Sequence, residues 1–177
     1  MKINVRLLSE RDDRSSFRSG NVELDRFFHQ YASQNQFRHH IGSTYVAVKE
    51  ESNEVLGFAT VVPAHIDEIP PDLQKKLPKY PLPVLRLARL AVSERAQGRG
   101  LGEVLLRFVF DLALRLSSEY GCIGVLVDAK REAEAFYAQY GFYQIEMIQG
   151  RSGIRPLTIP MFLPIGTIRQ AITNKRK

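Results

Sequence analysis

The string Gln97-Gly98-Arg99-Gly100-Leu101-Gly102 carries the most specific chemistry in the sequence. It stands between an apolar strand pattern and a helical pattern. Its backbone N–H groups and the positive end of the following helix dipole therefore face an anion, and glycines without side chains let a phosphate come close. A dinucleotide-binding G-x-G-x-x-G needs a glycine at Glu103 or Leu105, and a P-loop needs a Gly-Lys-Ser/Thr triplet; the sequence has neither. A pyrophosphate of another kind is the expected ligand.

Other reactive side chains point to less. The single cysteine, Cys122, lies in the run Cys122-Ile123-Gly124-Val125-Leu126-Val127 and reads as a small buried hydrophobe inside a strand, not as a nucleophile. His29, His39, His40 and His65 lack metal-ligand spacing, so no metal is expected. The net charge of +6 attracts polyanions, whether nucleic acid or a phosphate-bearing cofactor. Arg26, Arg38, His39, His40, Arg86, Arg89, Arg95, Arg99 and the basic C-terminus are the cations available for a phosphate-tracking surface. The alternative is a solvated basic face, with Arg95 and Arg99 serving cofactor phosphates.

These residues need a scaffold, and the patterning predicts an α/β one. Ile3, Val5 and Leu7 alternate as a first strand. Leu24, Phe27, Phe28, Tyr31 and Ala32 trace a helix face behind an Asn21 N-cap, and a polar, cationic stretch covers residues 33–40. Residues 44–48 and 55–62 predict a hairpin turning at Ser52-Asn53. Residues 63–83 hold six of the nine prolines, so no regular strand is expected there, although Pro71 could open a short helix at 72–77. In Leu85-Arg86-Leu87-Ala88-Arg89-Leu90-Ala91-Val92 the apolar residues change parity, and one extra residue near Ala88-Arg89, a β-bulge, would return them to one face. Leu101, Val104, Leu105, Phe108, Val109, Leu112 and Leu116 then predict a long helix. A buried strand is expected at 122–127 and a second helix at 132–139, ended by Gly141. Two more strands are expected near 142–148 and 157–163.

With 177 residues and 44% hydrophobic composition, a single domain spanning 1–177 can bury its own core. No apolar run reaches the roughly 18 residues of a membrane span, and Met1-Lys2-Ile3-Asn4-Val5-Arg6 lacks a secretory core. A soluble, cytoplasmic protein without a membrane partner is expected.

Gln97-x-x-Gly100-x-Gly102 resembles the Arg/Gln-x-x-Gly-x-Gly/Ala pyrophosphate motif of GNAT acetyltransferases, and the element order from residue 3 to residue 163 is similar to theirs. Ala135-Phe136-Tyr137-Ala138-Gln139-Tyr140-Gly141-Phe142 looks like the family's A-x-x-F-Y-x-x-x-G-F segment. The resemblance implies the GNAT fold, a mixed central sheet with a bulged central strand and flanking helices, and acetyl-CoA as cofactor. Leu90, Ala91 and Val92 would bind the pantetheine arm and acetyl carbonyl, and Gln97 to Gly102 the pyrophosphate. Tyr137 would protonate the departing thiolate as a neutral amine attacks the thioester and strand amides stabilise the oxyanion. Tyr140 is read as structural.

Five stretches look like TacT-type GNAT toxins of toxin-antitoxin pairs: Ser19-Gly20-Asn21 through Phe27, Tyr31 to Gln36, Thr44 to Val48, Leu87 to Val92, and Phe162 to Ile165. The likeness implies acetylation of the α-amine of aminoacyl-tRNA, with Arg38, Arg86 and Arg89 as tRNA contacts. It also implies a cognate DNA-binding antitoxin and a homodimer. The rival readings are an acetyltransferase acting on a small-molecule or protein amine, and a noncatalytic acyl-CoA- or nucleic-acid-binding module.

Overall fold

The computed structural model describes residues 1–67, 70–79, 81–146 and 158–175. The chain divides into two compact units, Met1–Val62 with Leu87–Asp111, and Pro63–Arg86 with Leu112–Lys177.

The first unit is built on β1 (Ile3–Leu7), β2 (Ser43–Lys49), β3 (Val55–Ile66, to Val62 in this unit) and the second half of β4 (Leu82–Val92), adjacent in that order. β1 and β2 are antiparallel, with Ile3 opposite Lys49 and Leu7 opposite Tyr45. β2 and β3 are antiparallel too, joined through Asn53 at φ 54°. At the end of β1 Leu8 is buried and Leu7 is 45% exposed, one position later than the alternation predicts.

The helix α1 (Val22–Arg26) starts as expected, with the Asn21 side chain accepting from the Glu23 and Leu24 N–H groups. It then widens into π-helical turns at Phe27–Tyr31 and Gln34–Arg38. The wider turn rotates the face, leaving Tyr31 47% exposed while Phe27, Phe28 and Ala32 stay buried. The cationic stretch is therefore helical from Ser33 to Arg38. Buried Gln36 anchors it, donating to Leu8 O at 2.9 Å and accepting from Thr44 N–H at 2.7 Å, which satisfies both ends of a buried amide. The core beneath is aromatic, with Phe28 stacked on Phe58 at 4.5 Å and Phe17 set edge-on to Phe28 at 5.0 Å.

Two prolines correct the expectation for residues 63–83. β3 runs on through Pro63 to Ile66, and β4 begins at Leu82 and includes Pro83. Both prolines are exposed, and Pro83 uses the carbonyl it retains to accept from Ile123 N–H at 2.9 Å. No helix forms behind Pro71; consecutive turns do, through Leu73 N–H to Pro70 O and Lys76 N–H to Leu73 O.

In the second unit the order is β4, β5 (Gly124–Lys130), β7 (Thr158–Pro164) and β6 (Tyr143–Gln144). β5 starts two residues later than predicted. Gly124 comes so close to β7 that a Cβ there would lie 2.3 Å from Leu163 O. Its core gathers Ile66, Leu82, Val84, Leu126, Ile145 and Phe162, with Leu73 and Leu77 packed against them. Of the expected strand at 142–148, β6 takes only Tyr143 and Gln144; Phe142, Ile145 and Glu146 flank it outside any strand, and residues 147–148, Leu157 and Arg176-Lys177 lie outside the described residues. The helix α4 (Ile165–Lys175), not foreseen, buries Ile168.

The long helix α2 (Leu101–Glu119) was foreseen, but its buried stripe is Leu101, Leu105, Leu106, Val109, Leu112 and Ala113, with Val104 40% exposed. Among the described residues no helix is long and apolar enough to cross a membrane.

Candidate active site

In the first unit β4 delivers the chain to the glycine loop. Leu87 and Ala91 are buried, Leu90 and Val92 are half-buried and Arg89 between them is exposed, so Leu90 and Val92 do not become the fully buried positions that the parity change predicts. Small Ala91 suits the close approach of β3: a Cβ on Gly57 would lie 3.0 Å from Ala91 O. Ser93 N–H donates to Leu56 O at 2.8 Å, and a single 3-10 turn, Glu94–Ala96, aims the chain at Gln97.

Gly98 and Gly100 adopt φ 73° and 78°, and a Cβ on either would meet nothing within 4 Å. Glycine is required there for its backbone, which leaves open space on the loop's face. Val104 N–H makes the first return bond of α2, to Gly100 O at 3.1 Å. The amides of Leu101, Gly102 and Glu103 precede that ladder and have no helical acceptor. This loop fits a pyrophosphate, with amides, an open face and a helix N-terminus together. Arg99 is exposed beside it, and Arg95 pairs with Glu54 at 2.7 Å. The exposed Gln97 side chain donates to Ser19 O at 2.9 Å and Val92 O at 3.0 Å.

The tyrosine lies in the second unit. A 3-10 turn, Arg131–Ala133, leads into α3 (Glu134–Ala138), and Gly141 at φ 97° ends it, its N–H donating to Ala138 O. Tyr137 is 6% exposed, between Phe136 at 5.1 Å and Phe142 at 5.4 Å. Burial disfavours the phenolate and pushes its pKa well above the ordinary phenol value. The group is therefore protonated at neutral pH, the state a proton donor requires. Tyr140 is half-buried with its ring 5.4 Å from Phe136, a packing role.

Cys122 precedes β5 instead of lying within it. Its thiol donates to Gly124 O at 3.2 Å, and burial raises its pKa, which opposes thiolate formation. Among the described residues no group of three or more His, Cys, Asp or Glu is placed to hold a metal.

The three arginines differ. Arg38 is exposed at the end of the π-helical turns. The Arg89 guanidinium lies 3.8 Å from the centroid of the Phe27 ring, a cation–π contact that leaves the residue exposed. Arg86 is ion-paired with Asp128 of β5, so part of its field is already neutralised. Sequence reasoning missed Phe27 as a platform because an aromatic on an apolar helix face reads as core, and missed Asp128 because nothing in the spacing joins residues 86 and 128.

Residues 15–163 match the model of the acetyltransferase (GNAT) domain family. The chain is 36% identical over 141 residues to the tRNA-acetylating toxin of Mycobacterium tuberculosis, covering 77% of this chain and 82% of that protein. It superimposes on the toxin AtaT complexed with acetyl-methionyl-tRNAfMet with a TM-score of 0.82 at 23% identity, covering 97% and 99% of the two chains. For a tyrosine-to-phenylalanine AtaT mutant bound to the C-terminus of the antitoxin AtaR and acetyl-CoA, the TM-score is 0.79 at 20% identity, covering 97% and 98%. At those identities the structural likeness is one of fold. The family match and the mycobacterial relative carry the assignment: the chain belongs to the GNAT family of acetyltransferases.

Proposed function

We propose that the protein is a toxin that moves an acetyl group from acetyl-CoA to the α-amine of aminoacyl-tRNA and so blocks translation. The acceptor rests on one observation above all, the 36% identity to a tRNA-acetylating toxin over 77% of the chain. The net charge of +6 agrees with a polyanionic acceptor.

Acetyl-CoA, when bound, supplies an activated thioester. The amides of Gly98 to Gly102 hold its pyrophosphate, and the backbone of Leu90, Ala91 and Val92 holds the pantetheine arm. Tyr137, protonated at neutral pH, gives its proton to the departing sulfur. The α-amine of an aminoacyl ester is a weak enough base to be neutral near pH 7, and the proton it sheds on becoming the amide passes to water, from which Tyr137 is reprotonated, so no carboxylate or imidazole base need be assigned. Exposed Arg38 and Arg89 contact tRNA phosphates, and Arg86 contributes less because of Asp128. The family match runs through both units, which supports one catalytic domain over 1–177. The toxin resemblance also supports a homodimer, a cytoplasmic setting and neutralisation by a DNA-binding antitoxin.

A cell-free translation assay tests the proposal. Synthesis should stop only when protein and acetyl-CoA are both present, and Tyr137→Phe should restore it. Uninhibited synthesis by a protein that binds acetyl-CoA would redirect the search to small-molecule or protein amines.

A further inference from the structure

We propose that Gln97 is a positioning residue that couples the cofactor loop to helix α1 through a relay of hydrogen bonds, Gln97 to Ser19 to Asp25. A glutamine amide has two donor hydrogens, and here both are engaged, on Ser19 O at 2.9 Å and Val92 O at 3.0 Å. Neither is left for a phosphate. The first bond reaches the segment that starts α1 and the second holds the end of β4. Ser19 passes the connection on, its N–H and hydroxyl both donating to Asp25 Oδ1 at 2.8 and 2.6 Å. Asp25 lies within α1, two residues before Phe27, which carries the Arg89 guanidinium. A parallel strut joins the same segments, with Glu94 N–H donating to Arg18 O at 2.8 Å.

The consequence concerns order. Phosphate binding at Gly98 to Gly102 restrains the residue immediately before them, and the relay passes that restraint to α1 and the platform under Arg89. Acetyl-CoA therefore prepares the arginine surface for the acceptor. The inference rests on acetyl-CoA as the ligand of the loop, and the test separates the two.

Hydrogen exchange of the full-length protein is measured with and without acetyl-CoA, with binding followed in parallel by calorimetry. In the native protein acetyl-CoA should slow exchange across residues 19–28 by at least about fivefold. Gln97→Glu, which sets an acceptor against two carbonyl oxygens, should still bind acetyl-CoA yet lose that protection. Gln97→Arg, which keeps donors toward both carbonyls, should recover part of it. Because the relay starts from the bound phosphate, acetyl-pantetheine, which lacks the pyrophosphate, should leave exchange across residues 19–28 unchanged in the native protein. Protection of residues 19–28 by acetyl-pantetheine equal to that given by acetyl-CoA would overturn the relay. If Gln97→Glu does not fold, Gln97→Met removes the donors without repulsion and decides by the same readouts. Native protein that binds acetyl-CoA without protecting residues 19–28 overturns the relay, and so does full protection in the folded variant. Native protein that fails to bind acetyl-CoA overturns the reading of the loop instead.

Discussion

Tyr137 combines two properties that burial ties together. A phenol 6% exposed between two phenylalanine rings is poorly placed to ionise and well placed to keep a proton. Because its pKa is raised, the acid form persists through the pH range in which an ordinary tyrosine ionises. Any alkaline loss of kcat due to this group should therefore appear only above about pH 10. Tyr137→Phe should lower kcat by about 10²–10⁴-fold and leave acetyl-CoA affinity within a factor of about two, measured by single-turnover kinetics and calorimetry. Arg89 makes a different prediction. If it neutralises one phosphate, Arg89→Ala should reduce the slope of log affinity for tRNA against log salt by about 1. Arg86→Ala should change that slope less, since Asp128 already pairs with Arg86. Tyr137 stood out as a candidate in the sequence because its neighbours resemble a family segment. Its burial was not legible there, because that depends on Phe142 returning across the turn at Gly141.

The elements tell a similar story with different limits. Asn21 and Gly141 were legible as caps because a helix end requires particular local chemistry, an oxygen acceptor in one case and a positive φ in the other. The glycine loop was legible for the same reason, since Gly98 and Gly100 both need φ above 70°. Alanine at position 100 would strain the backbone by roughly 1–2 kcal/mol without a steric clash, so Gly100→Ala should weaken acetyl-CoA binding by up to about thirtyfold while the protein folds. Gly124→Ala should behave oppositely. Its Cβ would strike Leu163 O, so stability should fall by about 3 kcal/mol or more in urea unfolding. That close contact is set by how β5 lies against β7, and the local sequence of residues 122–127 does not encode it. The π-helical turns and the strand course of Pro63 and Pro83 escaped the reading for the same reason: tertiary packing overrode local propensity.

At the scale of the whole molecule, charge and acid stability are the accessible properties. Arg6 holds the Asp12 carboxylate at 2.7 and 2.8 Å, and this hydrogen bonding keeps the Asp12 pKa below the ordinary carboxylate range. A lowered folded-state pKa contributes stability that is complete above the unfolded value near 3.9 and disappears as pH falls through the folded one. The Tm difference between the native protein and Asp12→Asn should accordingly be constant near neutrality and shrink below about pH 4. The net charge of +6 gave the class of partner, a polyanion, without choosing between a cofactor and tRNA. On the proposed reading the loop answers to the first and the arginines to the second. The most direct measurement is transfer of radiolabelled acetyl from acetyl-CoA to bulk charged tRNA, with deacylated tRNA and Tyr137→Phe as controls. Label on charged tRNA alone, lost in Tyr137→Phe, is the predicted result; unlabelled charged tRNA alongside intact acetyl-CoA binding would contradict the account.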